Sequence, residues 1–200
     1  MLIGVLLLLS SCTNTLPSPN INAPTSNTNA SISEDIGYKN TEYGFSLSLP
    51  KDLTTSATTS YLLPDSWSAL DGGTGSGTKL ASFVMNGSNQ IIASGIRIGA
   101  SKGSNEVRDC LSGPTYATSV IRTQEINGTT VKVIDLSDAA MNKYSIVSSY
   151  RVVKNNTCLV FDTFVFGSNA DVYENPPQPA FTKEEAFVKL KKVMETLKFE

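Results

Sequence analysis

Residues 43–50 read Tyr43-Gly44-Phe45-Ser46-Leu47-Ser48-Leu49-Pro50. Phe45, Leu47 and Leu49 alternate with serines, the period-two pattern of a strand with one face in a core and the other in water. Pro50 ends it, because proline has no N–H to give to a ladder. The same chemistry recurs downstream. Segments 78–85, 91–98, 130–136, 143–153 and 157–167 are rich in β-branched and aromatic residues and read as further strands. Asn86-Gly87, Asn127-Gly128 and Asn155-Asn156 separate several of them and supply the turn chemistry that tight hairpins require. Asn86, Asn127 and Asn155 also head Asn-x-Ser/Thr sequons, which are read as turn chemistry rather than as sugar sites.

Two helices are expected. A short one covers about 104–111 and stops before Gly113-Pro114. A longer one starts at Thr182-Lys183-Glu184-Glu185, a capping box. Phe187, Leu190, Met194 and Leu197 then form an apolar stripe at helical spacing. Lys189, Lys191 and Lys192 lie off the stripe and read as a solvated face.

Composition narrows the function classes. The chain has 200 residues, 40% of them hydrophobic and 17% charged, enough for one domain with appendages. The net charge of −2 gives no footprint for nucleic acid. There is no histidine, so the usual general base and the commonest metal ligand are missing, and no Ser-His-Asp triad can be built. No Gly-x-Ser-x-Gly elbow occurs either. No cofactor and no metal site are expected.

The first residues suggest a location. Leu2–Leu9 is apolar but far shorter than the roughly 20 residues that span a bilayer. It fits the apolar core of a secretory signal, and it ends Leu9-Ser10-Ser11-Cys12. That ending resembles a bacterial lipobox: an aliphatic residue, two small residues, then cysteine. The resemblance implies removal of a signal at 1–11 and acylation of Cys12 by chains such as palmitate. Each buried CH₂ of those chains contributes about 0.8 kcal/mol, so two or three chains make a stable anchor. Thr13, in place of an aspartate, implies the outer membrane in a Gram-negative cell. Residues 12–36 are dominated by Ser, Thr, Asn and Pro without apolar periodicity and read as a disordered tether. Its root-mean-square reach is roughly 25–30 Å. The folded domain is expected over 37–200.

Two family resemblances follow from quoted residues. The run Asn40-Thr41-Glu42-Tyr43-Gly44-Phe45-Ser46-Leu47-Ser48-Leu49-Pro50, with Trp67 beyond it, resembles the entry strand of PsbP-like proteins, which include bacterial lipoproteins related to the PsbP subunit of photosystem II. Leu190 and Met194-Glu195-Thr196-Leu197-Lys198-Phe199 resemble their closing helix and strand end. The resemblance covers about 38–199. It implies a single α+β domain, an antiparallel β-sheet flanked by helices, and little about activity. Separately, Ser112-Gly113-Pro114-Thr115-Tyr116 resembles the Ser-Gly-x-x-Tyr pattern of inhibitors of C-type lysozyme, in which the serine and tyrosine contact the lysozyme active site.

The remaining candidates are weighed on chemistry. Cys110 and Cys158 are the only other cysteines, and in an exported chain they are expected to form a disulfide. Leu70–Lys79 carries Gly72, Gly75 and Gly77 but not the Gly-Lys-Ser/Thr order of a phosphate loop, so it reads as a flexible loop open to a binding role. Asp162 lies in the apolar run Leu159–Phe166, where an unpaired carboxylate is costly. It is expected to pair with Arg97, Arg151 or Lys154. Asp135 and Asp138, at a strand end, read as turn residues. The reading that best fits is an envelope lipoprotein, anchored by Cys12, whose domain binds an envelope protein or polymer without catalysis. A lysozyme inhibitor acting through Ser112 and Tyr116 is the alternative, and a hydrolase without histidine, built around Asp162, is the third.

Overall fold

The computed structural model describes residues 35–55, 77–112 and 120–200. Three strands form a small antiparallel sheet: β1 (Ile36–Asn40), β2 (Phe45–Leu49) and β10 (Lys198–Phe199), in the order β1-β2-β10. Seven more form the main sheet: β3 (Leu53–Thr55), β4 (Thr78–Met85), β5 (Ala93–Ser101), β6 (Val120–Ile126), β7 (Thr129–Ala140), β8 (Lys143–Lys154) and β9 (Thr157–Ser168). Their order is β3-β4-β5-β9-β8-β7-β6, and every pairing is antiparallel. Helix α1 (Ser104–Asp109) has six residues, and α2 (Lys183–Glu195) has 13.

This corrects the expected fold class. The α+β domain with a helix-flanked sheet gives way to a β-dominated fold of two antiparallel sheets. The reason lies in which segments cover the core. The face of the main sheet that carries Ile96, Ile98, Phe161 and Val165 is closed by α2 together with the small sheet. Phe45, Leu47 and Leu49 of β2 share one buried cluster with Leu190, Met194 and Leu197. A three-stranded sheet takes the place that a second helix would fill. Strands absent from the sequence reading, β1, β3 and β6, add to the β content, and β7, β8 and β9 each run for 12 residues.

The hairpin turns explain the long strands. Asn127 (φ 47°) and Gly128 (φ 79°) both lie in the left-handed region, as a two-residue primed turn requires, and close β6 onto β7. Asn155 and Asn156 (φ 49° and 54°) do the same between β8 and β9. The β7–β8 turn uses Met141 and Asn142 (φ 49° and 67°). Methionine gives no turn signal, which is why this hairpin was not predicted as a unit.

Central strand β9 is buried on both faces from Thr157 to Val165. One face holds Leu159, Phe161 and Val165 in the main core. The other holds Cys158 and Val160 against Cys110, and Phe164 against Val84. Gly167 lies near its end, and a Cβ there would stand 2.0 Å from the Ile91 carbonyl oxygen, so only glycine fits.

Helix α2 begins as read from the sequence. The Thr182 hydroxyl accepts from the Glu185 N–H, and the Glu185 carboxylate accepts from the Thr182 N–H. Those bonds hold the Glu185 carboxyl below its usual range. At the other end the Asn127 side-chain amide donates to the carbonyls of Glu195 (3.0 Å) and Leu197 (2.8 Å). The same asparagine thus makes the β6–β7 turn and clips α2 to it. Asn127→Ala is expected to lower stability by about 1–2 kcal/mol through loss of these bonds and of the left-handed preference, read as a lowered midpoint in urea unfolding.

Candidate functional site

Two polar clusters sit on the main sheet, one on each face. The first lies on the face away from α2, at the middle of β5 and β9. Arg97 and Asp162 are opposite each other in register. The Arg97 Nε and Nη2 both donate to Asp162 Oδ2, at 3.2 Å and 2.6 Å. The Asp162 side chain is 7% exposed and that of Arg97 21%. Ser149 of β8 stands opposite Asp162 on the other side. The Arg151 Nε donates to Ser149 Oγ (2.9 Å), and its Nη1 donates to the Cys110 carbonyl (3.4 Å). The Ser82 hydroxyl, on β4 beside Arg97, is buried without a partner.

Cys110 and Cys158 close the upper side of this cluster as a disulfide, with Cα atoms 5.6 Å apart. The bond pins the end of α1 to β9, and Val107 and Val160 pack around it. Of the three cations considered for Asp162, Arg97 is the partner. Lys154 instead donates to the Gly44 and Glu200 carbonyls at the far end of the sheet. A carboxylate with both guanidinium donors on one oxygen is accounted for by pairing, and the hydrolase reading draws no support from it.

The second cluster is on the α2 face, across β6, β7 and β8. Asp135 accepts from Ser148 Oγ (2.6 Å) and from Arg122 Nε (3.1 Å), and Arg122 Nη1 donates to Gln124 Oε1 (3.0 Å). At Arg122 burial opposes the charge, and Asp135 and Tyr150 outweigh it, so the guanidinium stays above its usual range. Burial pushes the Tyr150 phenol up, against the pull of Arg122. Asp135 and Asp138 are not turn residues but lie inside β7, paired with Ser148 and Ser145 of β8. Arg122 was missed because β6 itself was missed, and Ser148 and Tyr150, on a strand that was read, because only the β7–β8 register brings them to Asp135 and Val133. The alternation of β6 is masked by two adjacent apolar residues, Val120 and Ile121.

The other candidates are dispersed. Ser112 follows α1, exposed, its N–H donating to the Asp109 carbonyl (3.0 Å). Gly77 immediately precedes β4. Cys12, Trp67, Gly72, Gly75 and Tyr116 lie outside the described residues. Among the described residues no three His, Cys, Asp or Glu side chains are grouped so as to hold a metal ion. No described helix is long and apolar enough to cross a membrane. An open depression is lined by Met141, Asn142, Lys143, Tyr144 and Asn169. The Tyr144 ring in it is already committed, with the Lys183 ammonium 3.6 Å from its centroid and its hydroxyl donating to the Ile91 carbonyl.

No protein-family model matches the chain, and no curated protein matches it. The functional reading therefore rests on the chain's own chemistry. Apart from the unpartnered Ser82 hydroxyl, the Arg, Asp and Ser side chains of both clusters hydrogen-bond to neighbours and hold adjacent strands together.

Proposed function

We propose that this chain is a membrane-anchored envelope lipoprotein whose β domain is a non-enzymatic module for binding or assembly. The observation that carries the reading is the Cys110–Cys158 disulfide. Such bonds persist in oxidising compartments. The chain has three cysteines, so this pairing leaves Cys12 as the one thiol available for a lipid. Cys12 is also the residue that ends the lipobox-like Leu9-Ser10-Ser11-Cys12. Acyl chains there and the tether that precedes β1 would hold the domain at the extracytoplasmic face of a membrane, the outer one if the cell is Gram-negative, within reach of an envelope protein or polymer.

Kinship with PsbP-like lipoproteins is part of the proposal. Its two signature segments meet in space: Phe199 pairs with Phe45 between β10 and β2, and Thr196 Oγ1 accepts from the Ser48 N–H at 2.9 Å.

The test is the mass of the mature N-terminus from a bacterium that processes lipoproteins, together with detergent phase partition. Wild type is expected to begin at Cys12, carry two or three acyl chains and enter the detergent phase. Cys12→Ser is expected to stay in the aqueous phase. An unacylated wild-type N-terminus overturns the anchor. Crosslinking in the same cells, with Cys12→Ser as the unanchored control, would then identify the partner.

A further inference from the structure

Strand β6 is the outermost strand of the main sheet, and among the described residues none pairs with its outer edge. At the other end of the sheet the edge strand β3 has three residues, too short to template much. β6 has seven, in an unbroken register with β7, with no proline and no bulge. Val120 is 64% exposed and Ile121 47%.

The charges that would guard such an edge are turned away from it. Arg122 is bound to Asp135 and Gln124, and Glu125 accepts from Thr130. Lys132 of β7 donates to Thr123 Oγ1 at 2.7 Å. Arg122 is neutralised by Asp135, and Glu125 and Lys132, opposite in sign, fold onto hydroxyls of the β6–β7 hairpin, so the rim carries no run of like charge to repel a second strand.

The hairpin fixes which backbone groups are free. Ile126 and Thr129 flank the two-residue turn and form a hydrogen-bonded pair, so 124, 122 and 120 also face β7. Ile121, Thr123 and Glu125 then direct their N–H and C=O groups outward. We infer that two copies of this chain associate by antiparallel pairing of β6 with β6, with Thr123 opposite Thr123 of the second copy.

The register follows from the side chains. With Thr123 at the twofold axis, Ile121 stands opposite Glu125 of the second copy, Arg122 opposite Gln124, and Val120 beside Ile126. No like charges meet, and the exposed apolar pair is covered. A slide that keeps the hydrogen bonds in phase moves the strand by two residues. In one direction Arg122 meets Arg122, which is unfavourable. In the other Val120 and Ile121 lose their partners. Lys132 beside Thr123 lies on the same face as Glu125 of the second copy, which adds opposite charges across the join. The contact is isologous and closes on itself as a dimer.

Sedimentation equilibrium and directed crosslinking test this on the full chain carrying Cys12→Ser. The parent is expected to dimerise. Thr123→Pro removes an outward N–H that no described residue uses, so the fold is retained, read by circular dichroism, while association weakens about 100-fold or more. Thr123→Cys is expected to form covalent dimers on mild oxidation, because paired strand residues are spaced for a disulfide. Gln124→Cys, which faces Arg122, is not. A monomeric parent, a dimer that survives Thr123→Pro, or a yield of covalent dimer from Gln124→Cys equal to that from Thr123→Cys overturns the pairing.

Discussion

Replacing Cys110 and Cys158 together by alanine lowers the unfolding free energy by about 4 kcal/mol. The bond closes a segment 48 residues long, and the entropy that such a closure removes from the unfolded chain gives this magnitude. The loss is not spread evenly. Helix α1 has six residues and an N-cap, Gly103, with no side-chain bond, so it has little stability of its own. Its anchorage includes the disulfide, the packing of Val107 against the cluster of Cys110, Cys158 and Val160, and the bond from Arg151 to the Cys110 carbonyl. The expected result is a lowered urea midpoint and fast hydrogen exchange at Ser104–Asp109, with slower amides retained in β5, β8 and β9. The check is urea unfolding of the oxidised protein against the double alanine variant. Equal midpoints would show that the cross-link does not constrain the unfolded chain.

Phe161→Ala is the second large effect, expected to cost about 3–5 kcal/mol. Phe161 is fully buried on β9. Its ring stands edge-on to Phe45 at 4.9 Å and to Phe199 at 6.1 Å. One side chain therefore joins the main sheet to both β2 and β10 of the small one. Removal leaves a cavity at that junction and breaks two aromatic contacts. Phe166→Ala is the control. Phe166 is half-buried on the opposite face, stacked on Phe164 at 4.8 Å, and its loss is expected to cost clearly less. Both are read from denaturant midpoints at unchanged slope. A similar cost at the two positions would mean that Phe161 does not join the sheets. A domain of ordinary stability, about 5–15 kcal/mol, would keep only a small margin after the Phe161 change.

The elements visible in the sequence are those whose signal is local. Alternation at Phe45–Leu49, the capping box at Thr182 and the asparagine turns each act within a few residues, and each is found where it was read. The cysteine pair was legible because only one pairing remained once Cys12 was set aside. The fold class was misread for a non-local reason. Nothing near residues 36–49 shows that those strands, with Lys198–Phe199, will serve as a lid over the core. Strand β6 escaped because charged side chains that hydrogen-bond to a neighbouring strand look, in isolation, like a loop. The partner of Asp162 was narrowed to three cations, and only the β5–β9 register selects Arg97.

The pairing of β10 with β2 has a kinetic side. Among the described strands, the second along the chain waits for the last, and β5 waits for β9 some 65 residues later, as the Arg97–Asp162 contact shows. Folds dominated by such distant pairings form in milliseconds to seconds rather than microseconds, because loops must close before contacts reward them. The β1–β2 pairing is local, but the small sheet is completed only when Lys198 and Phe199 join it. Until then Phe45, Leu47 and Leu49 lack the Leu190, Met194 and Leu197 side chains that share their cluster, so this part of the core is among the last to close.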